Sequence, residues 1–240
     1  MKVLRVFSVG LVLSLAASIA VAGFSGTATV TSDYDYRGIA QTATDPALQG
    51  SLVFEHDSGF YASVWGSSLD WGDGSDADIE LDYTAGISRE IGTSGVSWDA
   101  GLLFYHYPGL SAANFLEFYG GFSYASISVK LSYSDDFAGV GESGWYLNAG
   151  WSHAWENGWN VLVYGGYSFG DAFDDNQGHE GPAIGFPDYI NYGIGAGYTW
   201  KKLYFELKGV GTDLGAPHRV NDGVFANDFR AVFSLTLALP

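Results

Sequence analysis

Cysteine is absent from all 240 residues, so no disulfide can staple this chain. Small secreted domains often depend on such bridges. Here stability must come from backbone pairing and side-chain packing. Positive charge is scarce as well: 10 Lys and Arg stand against 27 Asp and Glu, and two of the ten, Lys2 and Arg5, lie at the N-terminus. An excess of carboxylates repels a phosphate backbone, which excludes nucleic acid as an expected partner. Beyond residue 22 no apolar run approaches the length of a membrane-spanning helix. A mature chain living in a membrane would have to do so as a closed barrel, because only helices and closed barrels satisfy every backbone group in lipid.

The N-terminus has its own pattern. Lys2 and Arg5 precede an apolar run from Val6 to Ala22 that ends Ala20-Val21-Ala22. A basic start, a short apolar stretch and a small-x-small end describe an export signal. Residues 1–22 are therefore expected to be a cleaved secretory leader, with residues 23–240 as the mature domain. A retained anchor is the alternative, disfavoured by the short run and its small end residues.

What the chain does contain is glycine and aromatics: 34 Gly, 16 Tyr, 16 Phe and 8 Trp. That much glycine argues against helices, and the aromatics suit strands. The apolar residues recur with a period of two. In the last segment Phe229, Ala231, Phe233, Leu235, Leu237 and Leu239 alternate with Arg230, Val232, Ser234, Thr236 and Ala238. This period puts one set on each face of a strand. It predicts twelve strands, at 25–36, 47–56, 59–69, 77–90, 95–107, 114–124, 126–136, 144–156, 159–170, 188–200, 202–212 and 227–239.

The connections alternate in length. Compact ones run through Asp57-Ser58-Gly59, Gly92 to Gly95, Ala125-Ser126, Glu156-Asn157-Gly158 and Lys201-Lys202. Asn-Gly is a strong hairpin signal. The other six are long and mostly acidic, the longest running from Asp171 to Asp188. Short turns at one end and long loops at the other are the plan of a bacterial outer-membrane barrel, with periplasmic turns and extracellular loops. The expected fold is thus all-β: a transmembrane, antiparallel, up-and-down barrel of about twelve strands.

In such a barrel the apolar face meets lipid, and Leu52, Val64, Leu102, Val163, Ile194 and Leu207 belong to it. Trp155, Trp159, Tyr198 and Trp200 cluster beside short turns, where an aromatic girdle would lie. A charge at mid-bilayer costs roughly 2–4 kcal/mol, so the charged positions should turn inward. The residues expected to line the lumen are Gln49, Glu55, Glu80, Asp82, Asp99, Glu117, Lys130, Asn148, Glu206, Lys208 and Arg230. They either border a water-filled path or pair with one another as a plug. The carboxylate excess favours the wet lumen. Tyr61, Trp65, Tyr105, Tyr119, Tyr146 and Tyr164 also face inward and should keep it narrow.

The segment SDYDYRGIAQT at 32–42, with Tyr36-Arg37-Gly38 at its centre, is followed by DPALQGSLVFEHDSGFYASVWGSSLD at 45–70 and IELDYTAGI at 79–87. Together they resemble the opening of the TorF-family porins, bacterial outer-membrane proteins whose porin role is itself inferred. The resemblance is strong over 25–90 and looser beyond. It implies an outer-membrane barrel and a porin role. The expected partners are outer-membrane lipid and lipopolysaccharide, the barrel-assembly machinery and small solutes or ions, and no cofactor is expected. In this reading Arg37 closes the first strand near the mouth, either pinning the first loop or binding an anionic group.

Other chemistry is weakly signalled. The five histidines, His56, His106, His153, His179 and His218, show no metal-ligand spacing. No spacing marks a nucleophile, and no enzyme is expected. Asp70, Asp73, Asp76 and Asp78 gather at the mouth, where carboxylates could hold calcium or simply be solvated. The function expected is a narrow, cation-favouring porin. The alternatives are a closed barrel that binds through its acidic loops and a barrel enzyme acting on lipid.

Overall fold

The computed structural model describes residues 23–72, 76–173 and 185–239. Twelve strands close into an antiparallel barrel: β1 (Gly23–Thr31), β4 (Ala47–Glu55), β5 (Phe60–Ser68), β6 (Ile79–Glu90), β7 (Val96–His106), β8 (Phe115–Tyr124), β9 (Ile127–Ser134), β10 (Gly144–Ala154), β11 (Trp159–Phe169), β12 (Tyr189–Trp200), β13 (Leu203–Thr212) and β14 (Arg230–Leu239). Every strand pairs with its chain neighbours, and β1 closes the ring against β14 with Gly26 opposite Leu239 and Thr31 opposite Ser234. Closure removes both sheet edges and pairs the backbone internally, as lipid requires. Two short strands, β2 (Asp35–Tyr36) and β3 (Ile39–Ala40), form a small hairpin of their own.

The exterior is apolar. Leu52, Val64, Leu102, Val163, Ile194 and Leu207 are all exposed on the single chain, alternating with buried or half-buried inward residues. Aromatics cluster at both ends of this band. Near the short turns stand Phe24, Phe54, Trp155, Trp159, Tyr198 and Trp200, with Trp159 and Tyr198 rings 5.1 Å apart. Toward the long loops, Tyr133, Trp145, Phe169 and Tyr167 form a chain with centroids 4.4, 6.3 and 5.0 Å apart.

The first strand ends five residues sooner than its pattern suggests. β1 stops at Thr31, not at residue 36, so Arg37 does not close it. Residues 32–46 leave the wall and carry the β2–β3 hairpin into the barrel. The reversal lies at Arg37 and Gly38, whose φ values of 50° and 88° are left-handed. A Cβ on Gly38 would sit 2.6 Å from Thr212 Cγ2 and 2.9 Å from Asn191 Cβ, so only glycine fits between the loop and the β12–β13 wall.

Candidate functional site

The interior is where this chain places most of its chemistry. Glu80, Asp82, Asp99, Glu117, Asn148 and Glu206 are buried inside the barrel. Gln49, Lys130, Lys208 and Arg230 also point inward but keep partial exposure. Glu55 shares the inward register but ends β4 at the short-turn rim, where it is exposed.

The inward acids are met by tyrosines more than by one another. Tyr34 donates to Glu80 at 2.9 Å, Tyr105 to Glu117 at 3.1 Å, Tyr61 to Asp99 at 2.7 Å and Tyr204 to Glu206 at 2.9 Å. Tyr61 and Tyr119 share a hydrogen bond, and Lys130 Nζ lies 4.1 Å above the Tyr119 ring. A hydroxyl can satisfy a carboxylate without adding a second charge, which lets acids outnumber cations on this wall.

Several of these rings lie against the wall. Tyr61 and Tyr164 sit across from Gly86 and Gly193 on the neighbouring strands, and Tyr119 across from Gly101. A Cβ on Gly86 would stand 2.6 Å from the Tyr61 hydroxyl, and one on Gly101 2.5 Å from that of Tyr119. Tyr146 and Tyr204 crowd Gly166 and Gly197 diagonally, two residues from their direct partners Ser168 and Thr199. The glycine-rich composition thus makes room for tyrosine rings to lie flat. The expectation that they simply narrow the bore misses this device. Its sequence signal is a tyrosine registered opposite a glycine, visible only once the strands are paired.

The segment 32–46 crosses the interior and is anchored at both walls. On one side Arg37 forms an ion pair with Glu117 of β8, both side chains nearly fully buried. Its guanidinium also faces the rings of Tyr36, Phe137 and Tyr146, at 4.8, 5.4 and 4.1 Å. On the other side Arg230 of β14 donates to Asp33 at 2.6 Å, to Asp35 at 2.5 Å and to the Gly38 carbonyl at 2.7 Å. In the twelve-strand ring β14 and β8 stand six places apart, so the anchors are diametrically opposed. Of the two roles open to Arg37, the geometry matches pinning of the first loop.

Above this segment aromatic residues continue across the loop end. Tyr105 stacks on Phe115 at 4.1 Å, Phe115 meets Phe137 at 5.0 Å, and Phe137 meets Phe173 at 5.1 Å. Trp71 packs against Tyr107 at 5.1 Å, and its indole donates to Gln41 at 2.9 Å. The acidic mouth surrounds this cluster. Asp70, Asp76 and Asp78 are exposed, with Asp70 accepting from Gly72 N–H at 3.0 Å. Asp73 lies outside the described residues, as do His179 and most of the Asp171-to-Asp188 connection. Among the described residues no three His, Asp or Glu converge as a metal site. His153 lies on the outside between Trp151 and Trp155, at 6.2 and 4.7 Å.

Solved structures share this architecture. The KdgM porin superposes with a TM-score of 0.56 at 11% identity, covering 90% of this chain and 98% of that one. A structure of the KdgM porin in complex with disordered oligogalacturonate gives 0.54 at 10% identity, covering 92% and 99%. The NanC porin gives 0.54 at 9% identity, covering 91% and 100%. At such identities the likeness is one of fold. No curated protein sequence matches the chain. One family model does, over residues 16–235, which takes in most of the barrel. The chain belongs to that family, Gcw_chp, described as bacterial protein of unknown function.

Proposed function

We propose that this protein is an outer-membrane porin of the TorF kind, passing small hydrophilic solutes or ions by passive diffusion. The observation that carries the reading is a closed barrel that is apolar outside and lined inside by carboxylates, hydroxyls and a few cations. A water-filled path needs such a lining. The fold it shares with the KdgM and NanC porins supports the same reading. Residues 1–22, outside the described residues, act in this proposal as the export leader, and residues 23–240 form the membrane domain. Outer-membrane lipid and lipopolysaccharide surround it, and the barrel-assembly machinery inserts it.

The bore is narrow because residues 32–46 cross it. It favours cations because acidic loops ring the mouth and attract them at low salt. The pore-lining set is the inward one, from Gln49 and Glu80 round to Lys208 and Arg230. A second reading is favoured by the aromatic cluster across the loop end: a closed barrel that binds partners through its acidic loops.

Planar-bilayer recording under a salt gradient tests the two. Discrete current steps with a cation-favouring reversal potential are expected. An inserted, folded barrel that stays silent would sink the channel reading and leave the closed barrel.

A further inference from the structure

Beneath the crossing segment a cavity lies against the β14–β1–β4 side of the barrel. Its lining includes Thr27, Thr29, Gln49, Trp65, Lys208 and Ser234, and Asp33 and Asp35 of the crossing segment border it. This side differs from the opposite one in two ways. Thr29 and Gln49 keep partial exposure where Ser132 and Asn148 across the barrel are buried, although Ser234 and Thr236 on this side are buried and Lys130 across the barrel is not. The wall here is built of hydroxyls and amides: Thr29 bonds Thr236 at 2.8 Å, Thr27 bonds Ser51 at 2.7 Å, and Gln49 donates to Ser67 at 3.3 Å.

The charged groups at this cavity are paired but not balanced, because one guanidinium serves two carboxylates. Lys208 pairs with Glu206 at 3.4 Å, and Arg230 pairs with Asp33 and Asp35. What stays available are hydroxyls, each able to donate and to accept. A solute with hydroxyls of its own can exchange bonds with such a wall without stranding a buried polar group, whereas an anion there meets the carboxylate charge that Arg230 leaves over. Trp65 adds an indole face of the kind that packs against C–H surfaces.

We propose that this hydroxyl-bearing side is the solute lane of the barrel, and that the solutes it takes are small, polyhydroxylated and free of negative charge. The proposal rests on the channel reading and deepens it. The lane runs along β1 from the short-turn end to the Arg230 ion pairs. The β6–β10 side, filled by tyrosines, acids and the Arg37 anchor, is the packed wall that faces this lane.

The absence of cysteine makes the test direct. Thr29→Cys and Ser132→Cys each place one thiol in the full mature chain. They stand on β1 and on β9, which lie six strands apart around the ring. Each folded protein is reconstituted into vesicles, treated with the bulky neutral reagent benzyl methanethiosulfonate, and assayed by swelling in glycerol and arabinose. Modification after insertion separates blocking from misfolding, and mass spectrometry reads whether the thiol reacted. The expected result is swelling by the unmodified proteins, reduced to the level of protein-free vesicles only at position 29. Block at position 132 alone, equal block at both, or labelling at position 29 with no loss of swelling would each overturn the lane. Salt conductance without glycerol or arabinose uptake would overturn the solute class and leave the channel standing. Absence of both in the wild type would end the channel reading itself.

Discussion

On the β6–β8 side, Glu80, Asp99 and Glu117 are met by tyrosine hydroxyls, and Arg37 reaches Glu117 through a cage of rings. On the β14–β1–β4 side, Thr27, Thr29, Gln49 and Ser51 pair hydroxyl to hydroxyl or amide, and Arg230 meets two carboxylates beside a cavity. Both sides hold one end of the same crossing segment. The difference teaches where that segment can yield. An ion pair embedded in aromatic packing loses contacts on every side if it opens. The pairs beside the cavity have no such rings around them, so the hold there rests on the pairing itself.

The largest effect should follow from breaking the anchor at the cavity. Arg230→Met leaves Asp33 and Asp35 without their cation, and removing one partner of a buried pair typically costs about 3–5 kcal/mol. Urea unfolding of the bilayer-refolded barrel should show that loss. Adding Asp33→Asn and Asp35→Asn should restore most of it, because no uncompensated charge then remains. Single-channel current through the triple variant should exceed that of the wild type, since the segment is freed from β14. Full stability in Arg230→Met alone would mean that the ion pairs do not hold the segment.

At the other anchor, Glu117→Gln strands Arg37, but the rings of Tyr36, Phe137 and Tyr146 remain around it. Cation–π contacts contribute roughly 0.5–2 kcal/mol each, so the cost should fall to about 3 kcal/mol or less, at the low end of that for a broken buried pair. Current should change little, because the packed side does not carry the lane. A larger current in Glu117→Gln than in the Arg230 triple variant would reverse the assignment of the two sides.

The tyrosine side can be probed through its glycines. Gly193→Ala places a methyl against the Tyr164 ring, and overpacking of this kind costs about 1–3 kcal/mol. Combining it with Tyr164→Ser should recover stability, because the clash is specific to the ring. Equal unfolding midpoints for Gly193→Ala and the wild type would show that the ring does not need the wall.

Much of this architecture was legible in the sequence, and its failures are instructive. A period of two is a local property, so strand bounds such as 47–55, 159–169 and 203–212 fall within a residue of those read from the pattern. The first strand misled because Asp33, Tyr34, Asp35 and Tyr36 keep the alternation of polar and aromatic residues after the chain has left the wall. What redirects them is Arg230, nearly 200 residues away, and a contact at that distance leaves no trace in a local pattern. The inward acids were legible for the simple reason that lipid excludes them. Their tyrosine partners were not, since Tyr61 must first be registered with Gly86 and brought toward Asp99. Glu55 shows the limit of alternation: it identifies the face of a residue but not its depth.

The smallest expected effect lies outside the barrel and sharpens the comparison by contrast. Arg219 and Asp228 pair at 2.6 Å in the last loop, where Arg219 is about half exposed. The Arg219 hydrogen bond holds the Asp228 carboxyl below the usual carboxylate range. A depressed value favours the folded loop while the group is charged. The contribution is present at neutral pH and is lost only as pH falls below about 4, through the unfolded and then the lowered folded value. Exposure and salt screen it, so little of the barrel's stability depends on it. The protection of the Asn227 and Phe229 amides, relative to their intrinsic exchange, should fall below that pH in low salt and stay constant near neutrality. The same residues probed in Arg219→Gln should lose this pH dependence. The ion pairs of the crossing segment, sheltered inside the barrel, should still resist raised salt. If salt weakened the Arg230 anchor as readily as this surface pair, water would already reach the segment from both sides, and the two halves of the interior would not differ.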